Sequence, residues 1–238
     1  MQQAPTTTTL ERFTTTFFGY GSWAAPIWIV GMEEGGGATV AEVTSRLAVW
    51  EQRGGRDLED LVQYHHAIGI TKHMNADARI QPTWAKMIHL LFGARGLPCD
   101  TEQVRSFQAR DLGRSNGDTC ILELLPLPSP NVRTWTYAPW NVPYLRDRET
   151  YRQHLIPERV ERMRARVSTY RPKAVVFLGM SYLEHWQKIA GKPLEVQENV
   201  ALAGGDTLYV AVRHPASRGV TNAYFRGVGE LISRRLVQ

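Results

Sequence analysis

Residues 27–37 read Ile27-Trp28-Ile29-Val30-Gly31-Met32-Glu33-Glu34-Gly35-Gly36-Gly37. The first four form a continuous apolar run, which is typical of a strand that is covered on both faces of a sheet. Two carboxylates stand between this run and three glycines that let the chain turn. Open α/β sheets build their ligand sites just past the carboxyl ends of their strands. The stretch therefore predicts a buried strand that leads into a functional site.

A second stretch, near the other end of the chain, repeats this pattern. The apolar run Leu208–Val212 leads into His214-Pro215-Ala216-Ser217-Arg218-Gly219. If both runs are parallel strands of one sheet, their carboxyl ends lie at the same edge. We therefore expect Glu33 and His214 to face one cleft. Structural roles stay open, because paired carboxylates are common at helix starts and histidines are often structural.

The rest of the chain alternates apolar runs with helical spacings. The predicted strands are Ile27–Val30, Thr119–Leu125, Ala174–Leu178 and Thr207–Val212. The predicted helices are Val40–Arg53, Asp57–Ile68, Thr83–Phe92, Glu102–Leu112, Pro157–Tyr170, one from Ser181 and Thr221–Val237. Because crossovers between parallel strands place helices on both faces, the alternation predicts a three-layer α/β/α fold around a central four-stranded, mainly parallel sheet. We expect residues 1–10 to be a loose tail and Arg133–Tyr151 a surface loop.

Composition limits the class of protein. The chain has 238 residues, 43% of them hydrophobic, so residues 1–238 can form a single domain with a full core. Its formal net charge of +5 favours a polyanionic partner. Cys99 and Cys120 are too few for a disulfide framework or an iron–sulfur cluster, which favours a cytoplasmic protein. No apolar run is long enough for a membrane helix, so we expect no membrane partner, and we expect a monomer.

Two residue clusters invite binding interpretations. His65 and His66 suggest a metal, but neighbouring histidines on a helix point about 100° apart and no carboxylate recurs at a ligand spacing. We therefore expect no metal and no cofactor. The predicted surface loop also carries Trp135 and Tyr137, which can stack on nucleobases or cover the core, and both interpretations stay open.

Four segments form an ordered set along the chain. They are Gly31-Met32-Glu33-Glu34-Gly35, Glu123-Leu124-Leu125-Pro126-Leu127, Arg171-Pro172-Lys173-Ala174-Val175-Val176-Phe177-Leu178-Gly179 and His214-Pro215-Ala216-Ser217. In this order they resemble the first motif, the middle strand, the third strand with its turn, and the second motif of the uracil-DNA glycosylase superfamily. The first segment looks most like the Gly-Met-Asn-Pro-Gly form of the single-strand-selective branch. The resemblance spans residues 27–219 and implies a uracil-DNA glycosylase-like fold.

The resemblance implies a DNA glycosylase, a hydrolase that cleaves the N-glycosidic bond of a flipped, damaged or modified base. Glu33 would orient water or stabilise the cationic sugar, and His214 would donate a hydrogen bond to the departing base. The implied base-binding residues are Met32, Glu34, Gly35 and Glu123. The implied DNA-binding residues are Ser217, Arg218, Gly219, Asn131 and Arg133. The backbone of Gly35–Gly37 would hold a phosphate or a base edge, and the implied partner is DNA, single strands included.

Four positions depart from the family pattern. Glu33 stands where members carry Asn or Asp, Glu34 where they carry Pro, and Ala216 where they carry Ser. Glu123 stands at the base-reading Asn, and an ionised carboxylate only accepts hydrogen bonds whereas an amide also donates. Glu123 therefore favours a base that presents donors, or is protonated by burial, or is a paired carboxylate of the core.

Two other functions stay open. A catalytically silent nucleic-acid or nucleotide-binding domain of the same fold would account for the departures at Glu34 and Glu123. An N-glycosidic hydrolase that acts on a small nucleoside would need no arginine at the tip of the loop that carries Arg218.

Overall fold

The computed structural model describes residues 5–75 and 77–237, which form one mixed sheet of eight strands with α-helices around it. The strands are β1 Gly19–Gly21, β2 Ile27–Glu33, β3 Leu58–Glu59, β4 Cys120–Leu125, β5 Ala174–Leu178, β6 Glu195–Gln197, β7 Val200–Ala203 and β8 Leu208–Val212. Their order across the sheet is β3-β1-β4-β2-β5-β8-β7-β6. The central strands β4, β2, β5 and β8 run parallel and correspond to the four predicted strands. The predicted α/β class is confirmed.

The predicted four-stranded sheet is wrong, because four short strands widen it at both sides. β1 pairs antiparallel with β4, and β7 pairs antiparallel with both β8 and β6. β3 has only two residues, and β1 reads Gly-Tyr-Gly. All three residues of β6 are exposed. β1, β3 and β6 show neither an apolar run nor an alternation, so hydrophobic patterning could not reveal them, whereas β7 is a four-residue apolar run, Val200–Ala203, that sequence reasoning missed.

The helices of the described residues fall into packed groups. They are α1 Thr7–Thr16, α2 Val40–Gln52, α3 Leu61–Ala67, α4 Pro82–Ala94, α5 Thr101–Arg110, α6 Arg148–Tyr170, α7 Leu183–Ala190 and α8 Asn222–Val237. α6 packs against α7 and β4, while α4 packs against α5 and α8. Side-chain caps fix helix starts, since the Thr39 hydroxyl accepts from the first turn of α2 and Asp100 begins α5 with a capping box.

The N-terminal segment differs from its prediction. α1 begins at Thr7 and buries Leu10, so the expected loose tail over residues 1–10 is wrong from Thr7 onward. Residues 1–4 of that tail lie outside the described residues. The Thr6 hydroxyl caps the helix, and a run of threonines is a weak helix signal because branched side chains lose χ1 freedom there.

Two interior segments also differ. Asp57–Ile68 is β3 followed by α3 rather than one helix. α6 begins at Arg148, inside the predicted loop Arg133–Tyr151, and Pro157 lies within the helix. Proline favours the first turn of a helix, which led the prediction to start at Pro157, whereas the Asp147 carboxylate caps the actual start. Because α6 begins at Arg148, residues that were predicted to lie in a loop form its first turns, beside the carboxyl edge of the sheet.

The central strands lie in the core. Every residue of β5 and β8 is buried, as their continuous apolar runs predict. Trp28 of β2 is fully buried, and its ring packs near Trp23 and Tyr170. Across the two described ranges, no helix has the length and apolarity needed to span a bilayer.

Candidate active site

Glu33 and His214 both lie at the carboxyl edge of the sheet. Ile27, Ala174 and Leu208 are paired in one row across β2, β5 and β8. Glu33 is the last residue of β2, three residues past its last pair with β5, and His214 lies two residues past the last pair of β8 with β5. Because neighbouring strands lie about 4.8 Å apart, β2 and β8 are separated by about 10 Å. The two predicted residues thus flank the end of β5 at the carboxyl edge of the sheet.

The main chain leaves the sheet between these two residues. β5 ends at Leu178, and Gly179 turns with a φ of 111°, a region that favours glycine. The N–H of Gly179 still donates to the carbonyl oxygen of Val212 at 2.8 Å, so the turn begins directly at the end of β8. The region at this carboxyl edge is where α/β folds bind ligands. We name it the edge cleft, bounded by Glu33, Gly179 and His214.

The Glu33 carboxylate is tied to the first residue of α6. Its Oε2 accepts from Nη1 of Arg148, and the two side chains are 13% and 17% exposed. Nη2 of Arg148 donates to Ser129 Oγ and to the carbonyl oxygens of Asn131 and Thr134. One arginine therefore holds the loop over residues 129–134 against Glu33. Because the hydrogen bonds of the described residues use only Oε2, Oε1 is available to water or a ligand.

His214 is held in one tautomer. Its Nδ1 accepts the N–H of Ala216 at 3.1 Å, which assigns the proton of the neutral ring to Nε2. His214 is exposed as a residue, but partial desolvation of its ring and the nearby Lys86 ammonium lower its pKa below the ordinary value of 6.5. The Lys86 ammonium also donates to the carbonyl oxygen of Pro215 at 2.6 Å, which fixes the turn. At neutral pH the ring is therefore an uncharged donor through Nε2.

The first two turns of α6 connect the two ends of the edge cleft. Arg148 holds the carboxylate at one end. Arg152, one turn later, lies 5.7 Å above the ring of Tyr182. A Cβ placed on Gly179 would lie 2.9 Å from the Tyr182 ring and 3.9 Å from the Cβ of His214, so these side chains meet at the turn. Arg148 and Arg152 thus place two guanidinium groups beside the edge cleft.

Glu34, next to Glu33, points into the protein. Its carboxylate accepts from the Tyr20 hydroxyl at 2.7 Å and from Arg46 Nη1 at 3.2 Å, and His65 Nε2 lies 3.5 Å away. Desolvation raises the pKa of Glu34, but the Arg46 charge and these hydrogen bonds outweigh it and lower the pKa to about 2. Glu34 is therefore an ionised, structurally bound carboxylate. Sequence reasoning considered His65 only as a metal ligand and missed this contact.

Some backbone N–H groups of the glycine loop after Glu34 already have hydrogen-bond partners within the protein. The N–H groups of Gly37 and Ala38 donate to the Glu42 carboxylate at 2.9 and 3.0 Å. The Gly37 amide that the resemblance assigns to a phosphate or a base is thus occupied. Gly35 is exposed, and a Cβ there would meet nothing within 4 Å. Met32 is buried in the core and only 6% exposed.

Glu123 lies on β4 beside Gly31 of β2. Its Oε2 is buried without a hydrogen-bond partner among the described residues, whereas the residue as a whole is half-buried. Burial raises the pKa of Glu123 well above its ordinary value, and the Glu34 and Glu33 carboxylates raise it further. The paired core carboxylate that the sequence left open is therefore not observed, because no cation compensates this side chain within the described residues.

The residues expected to contact DNA are exposed on two loops at the carboxyl edge. They are Asn131, Arg133, Ser217, Arg218 and Gly219. The Asn131 side chain is used within its own loop, since its Oδ1 accepts from the N–H groups of Arg133 and Thr134. Arg213 Nη2 donates to the carbonyl oxygen of Arg218 and braces the second loop.

The aromatic side chains of the predicted surface loop serve the core. Tyr137 is 1% exposed, and its hydroxyl donates to the carbonyl oxygen of Pro128. Trp135 is partly buried, and the Arg148 guanidinium lies 5.2 Å from its ring. Of the two interpretations left open, these contacts favour core covering over base stacking.

Sequence reasoning missed Arg148 and Arg152 as cleft residues. A usable signal was present: Asp147 is a favoured helix cap, and Tyr151 and Leu155 follow at a helical spacing and are both buried. Pro157 masked this signal because it matched the expected start of a shorter helix.

The chain matched no protein-family model and no curated protein.

Proposed function

We propose that the protein is a DNA glycosylase that hydrolyses the N-glycosidic bond of an extruded, damaged or modified base. The observation that carries this proposal is the parallel pairing of β2, β5 and β8, which brings Glu33 and the neutral His214 to the same edge of the sheet on either side of β5. A separation of about 10 Å between their strands leaves room for a sugar with its base. A carboxylate and an uncharged donor are the two groups that this reaction needs.

Each group has a defined part in the reaction. As the bond between C1′ and the base nitrogen breaks, its electron pair leaves with the base, and the sugar becomes electron-poor. Nε2–H of His214 donates to the base atom on which negative charge accumulates. Glu33 stabilises the cationic sugar and orients a water molecule, whose oxygen bonds to C1′. The proton released by that water balances the charge of the departed base.

The loops around the cleft support DNA as the substrate. Arg133 and Arg218 are exposed at the carboxyl edge, and the chain carries a formal net charge of +5. Phosphate contacts from such side chains supply affinity that falls as salt rises. The resemblance in the four ordered segments supports the same assignment.

The direct test measures free base released from oligonucleotides that contain uracil, hypoxanthine or other lesions, as single strands and duplexes. We expect release from at least one, and we expect His214→Ala to slow it about 100-fold, since this variant removes one donor to the developing charge. His66→Ala, which changes an exposed histidine, is the matched control and keeps wild-type release. Absence of release from every lesion in both strand forms would refute the proposed activity.

A catalytically silent nucleic-acid-binding domain is the second candidate, favoured by the Arg148 charge that compensates Glu33. For this function, oligonucleotides bind without base release. Wild-type and Glu33→Gln proteins then bind equally well, with an affinity that falls steeply with salt.

Trimming the exposed loop distinguishes DNA from a small nucleoside as substrate. Arg218→Ala is expected to weaken oligonucleotide binding several-fold and to flatten its salt dependence by about one phosphate contact, because the guanidinium would lie against the backbone. Fluorescence anisotropy across a salt series measures both effects. Arg162→Ala, on the exposed face of α6, is the control. Unchanged oligonucleotide binding together with nucleoside cleavage would assign the protein to the nucleoside hydrolases.

A further inference from the structure

A cavity of about 430 Å³ lies at the edge of the sheet opposite the edge cleft, where β8 begins. The end of α6, the end of α7 and the turn over residues 205–207 line it, and we name it the α6–α7 cavity. Its volume is within the range of small-molecule sites, about 300–1,000 Å³. Because a helix rises about 1.5 Å per residue, Arg164 in its lining lies about 24 Å along α6 from Arg148. The α6–α7 cavity is therefore separate from the proposed catalytic residues.

Three cations line the α6–α7 cavity, namely Arg164, Arg171 and Lys192. The ion pairs of the described residues include none of them, and the lining contributes one carboxylate, Asp206. The carboxyl ends of α6 and α7 add a partial negative charge of about one half each, which gives about two negative charges together with Asp206. Glu161 lines a neighbouring cavity and forms no ion pair with Arg164 within the described residues. The lining of the α6–α7 cavity therefore keeps an excess of positive charge.

Two of the three cations have defined positions over glycines. A Cβ placed on Gly191 would lie 3.1 Å from Nη2 and 3.3 Å from Cζ of Arg164, so the guanidinium packs against the space that this glycine leaves open. The φ of Gly191 is 68°, a region that also favours glycine. The Lys192 ammonium donates to the carbonyl oxygen of Gly204 at 3.1 Å. That bond uses one of its three protons, so two remain for a ligand.

Tyr209 adds an uncharged donor to the lining of the α6–α7 cavity. The residue is 8% exposed, and its hydroxyl makes no hydrogen bond within the described residues. Burial raises the pKa of Tyr209 above its ordinary value of 10 and the Arg164 charge opposes this rise, so the hydroxyl is protonated at neutral pH. Because side chains this deeply buried usually pair their polar atoms, an unpaired hydroxyl on a cavity wall indicates a partner outside the protein.

We infer that the α6–α7 cavity is a binding site for a phosphate monoester of about mononucleotide size. Guanidinium groups donate to two phosphate oxygens at once, and the ammonium and the tyrosine hydroxyl supply further donors. At neutral pH a monoester carries about 1.5 to 2 negative charges, whereas each phosphate of a nucleic-acid backbone carries one. The excess of positive charge therefore favours a monoester. The inference does not rest on the proposed function, because the α6–α7 cavity contains no residue of the edge cleft.

The test compares ligands that differ only by the phosphate. Binding of inorganic phosphate, ribose 5-phosphate and AMP to the full chain is measured by NMR titration at low salt, with ribose and adenosine as neutral counterparts and the amide signals of Gly191 and Gly205 as local reporters. We expect at least one monoester to bind about tenfold or more tightly than its neutral counterpart, because charge-assisted hydrogen bonds are the strong ones.

Variants locate the site. Arg164→Met and Lys192→Met should each weaken binding of that monoester about tenfold, and Tyr209→Phe, which removes only the hydroxyl, should weaken it several-fold. Arg162→Met removes an exposed arginine of α6 outside the cavity and should keep the wild-type affinity. Base release from oligonucleotides should be unchanged in Arg164→Met, so a failure of the proposed activity and a failure of this site are separate results.

Several outcomes would overturn the inference. In the first, no monoester shifts the two reporter signals, or the cavity variants bind it as the wild-type protein does. In the second, an oligonucleotide without terminal phosphates displaces the monoester and binds more tightly through the same residues, which would make a nucleic-acid backbone the ligand. In the third, the cation variants unfold at lower temperatures but keep their affinity, which would mean that these side chains only stabilise the helix ends.

Discussion

The Glu33→Gln variant is expected to release base about 1000-fold more slowly than the wild-type protein, with its fold retained. The substitution removes the negative charge that stabilises the electron-poor sugar and positions water, and such groups contribute about 100- to 10,000-fold to a rate. The side-chain shape is preserved, and a glutamine oxygen can still accept from Arg148. That arginine also keeps its bonds to the loop over residues 129–134.

Single-turnover release from the best oligonucleotide measures this loss directly. Thermal unfolding of the same sample shows whether the fold is retained. Glu158→Gln, at an exposed position of α6, is the matched control and should keep the wild-type rate. If Glu33→Gln releases base at more than a tenth of the wild-type rate, Glu33 is not the catalytic carboxylate, and its pairing with Arg148 is structural.

The two ends of the edge cleft could be predicted from sequence because strands impose a strict geometry. Continuous apolar runs identified β2 and β8, and parallel strands end at one edge. Glu33 and His214 therefore had to emerge on the same side of the sheet. How far along that edge each residue lies depends on the register through β5, which patterning does not contain. Only the pairing of Ile27 with Ala174, and of Ala174 with Leu208, establishes it.

The partners of the site residues could not be predicted in the same way. Glu33 is the last residue of β2 and Glu34 follows the strand, so alternation does not predict the direction of the Glu34 side chain, and only the resemblance gave the two residues different roles. They differ because Arg148 meets the first, while Tyr20 and Arg46 meet the second from separate elements. Contacts between elements far apart in the chain depend on packing, which a local pattern does not record. The short edge strands escaped prediction for the related reason that their main-chain pairing needs no side-chain signature.

The hydrogen bonds and ion pair around Glu34 predict that a substitution there changes the free energy of unfolding strongly, although Glu34 is not one of the proposed catalytic residues. Arg46→Met is expected to lower the free energy of unfolding by about 3 kcal/mol at pH 7, because it leaves a buried carboxylate without its cation. Methionine retains the apolar stem, so lost packing is a minor part of the change. The Arg46 side chain is only 5% exposed and that of Glu34 18%, so solvent does little to screen the pair.

The pH dependence separates this electrostatic cause from a packing defect. The pKa of Glu34 is about 2 in the folded protein and about 4.5 when unfolded, so the unfolded state binds more protons between these values. The stabilisation is therefore complete above about pH 5 and is lost as pH falls towards 2. The difference between wild type and Arg46→Met in the free energy of urea unfolding should shrink from about 3 kcal/mol at pH 7 to less than half of that at pH 3.

The control is Arg162→Met, which removes an ion pair whose two side chains are both about half exposed. It should lower the free energy of unfolding by less than about 0.5 kcal/mol at every pH. A deficit for Arg46→Met that stays constant from pH 7 to 3 would mean that the arginine acts through packing, and that Glu34 is not held ionised by its charge.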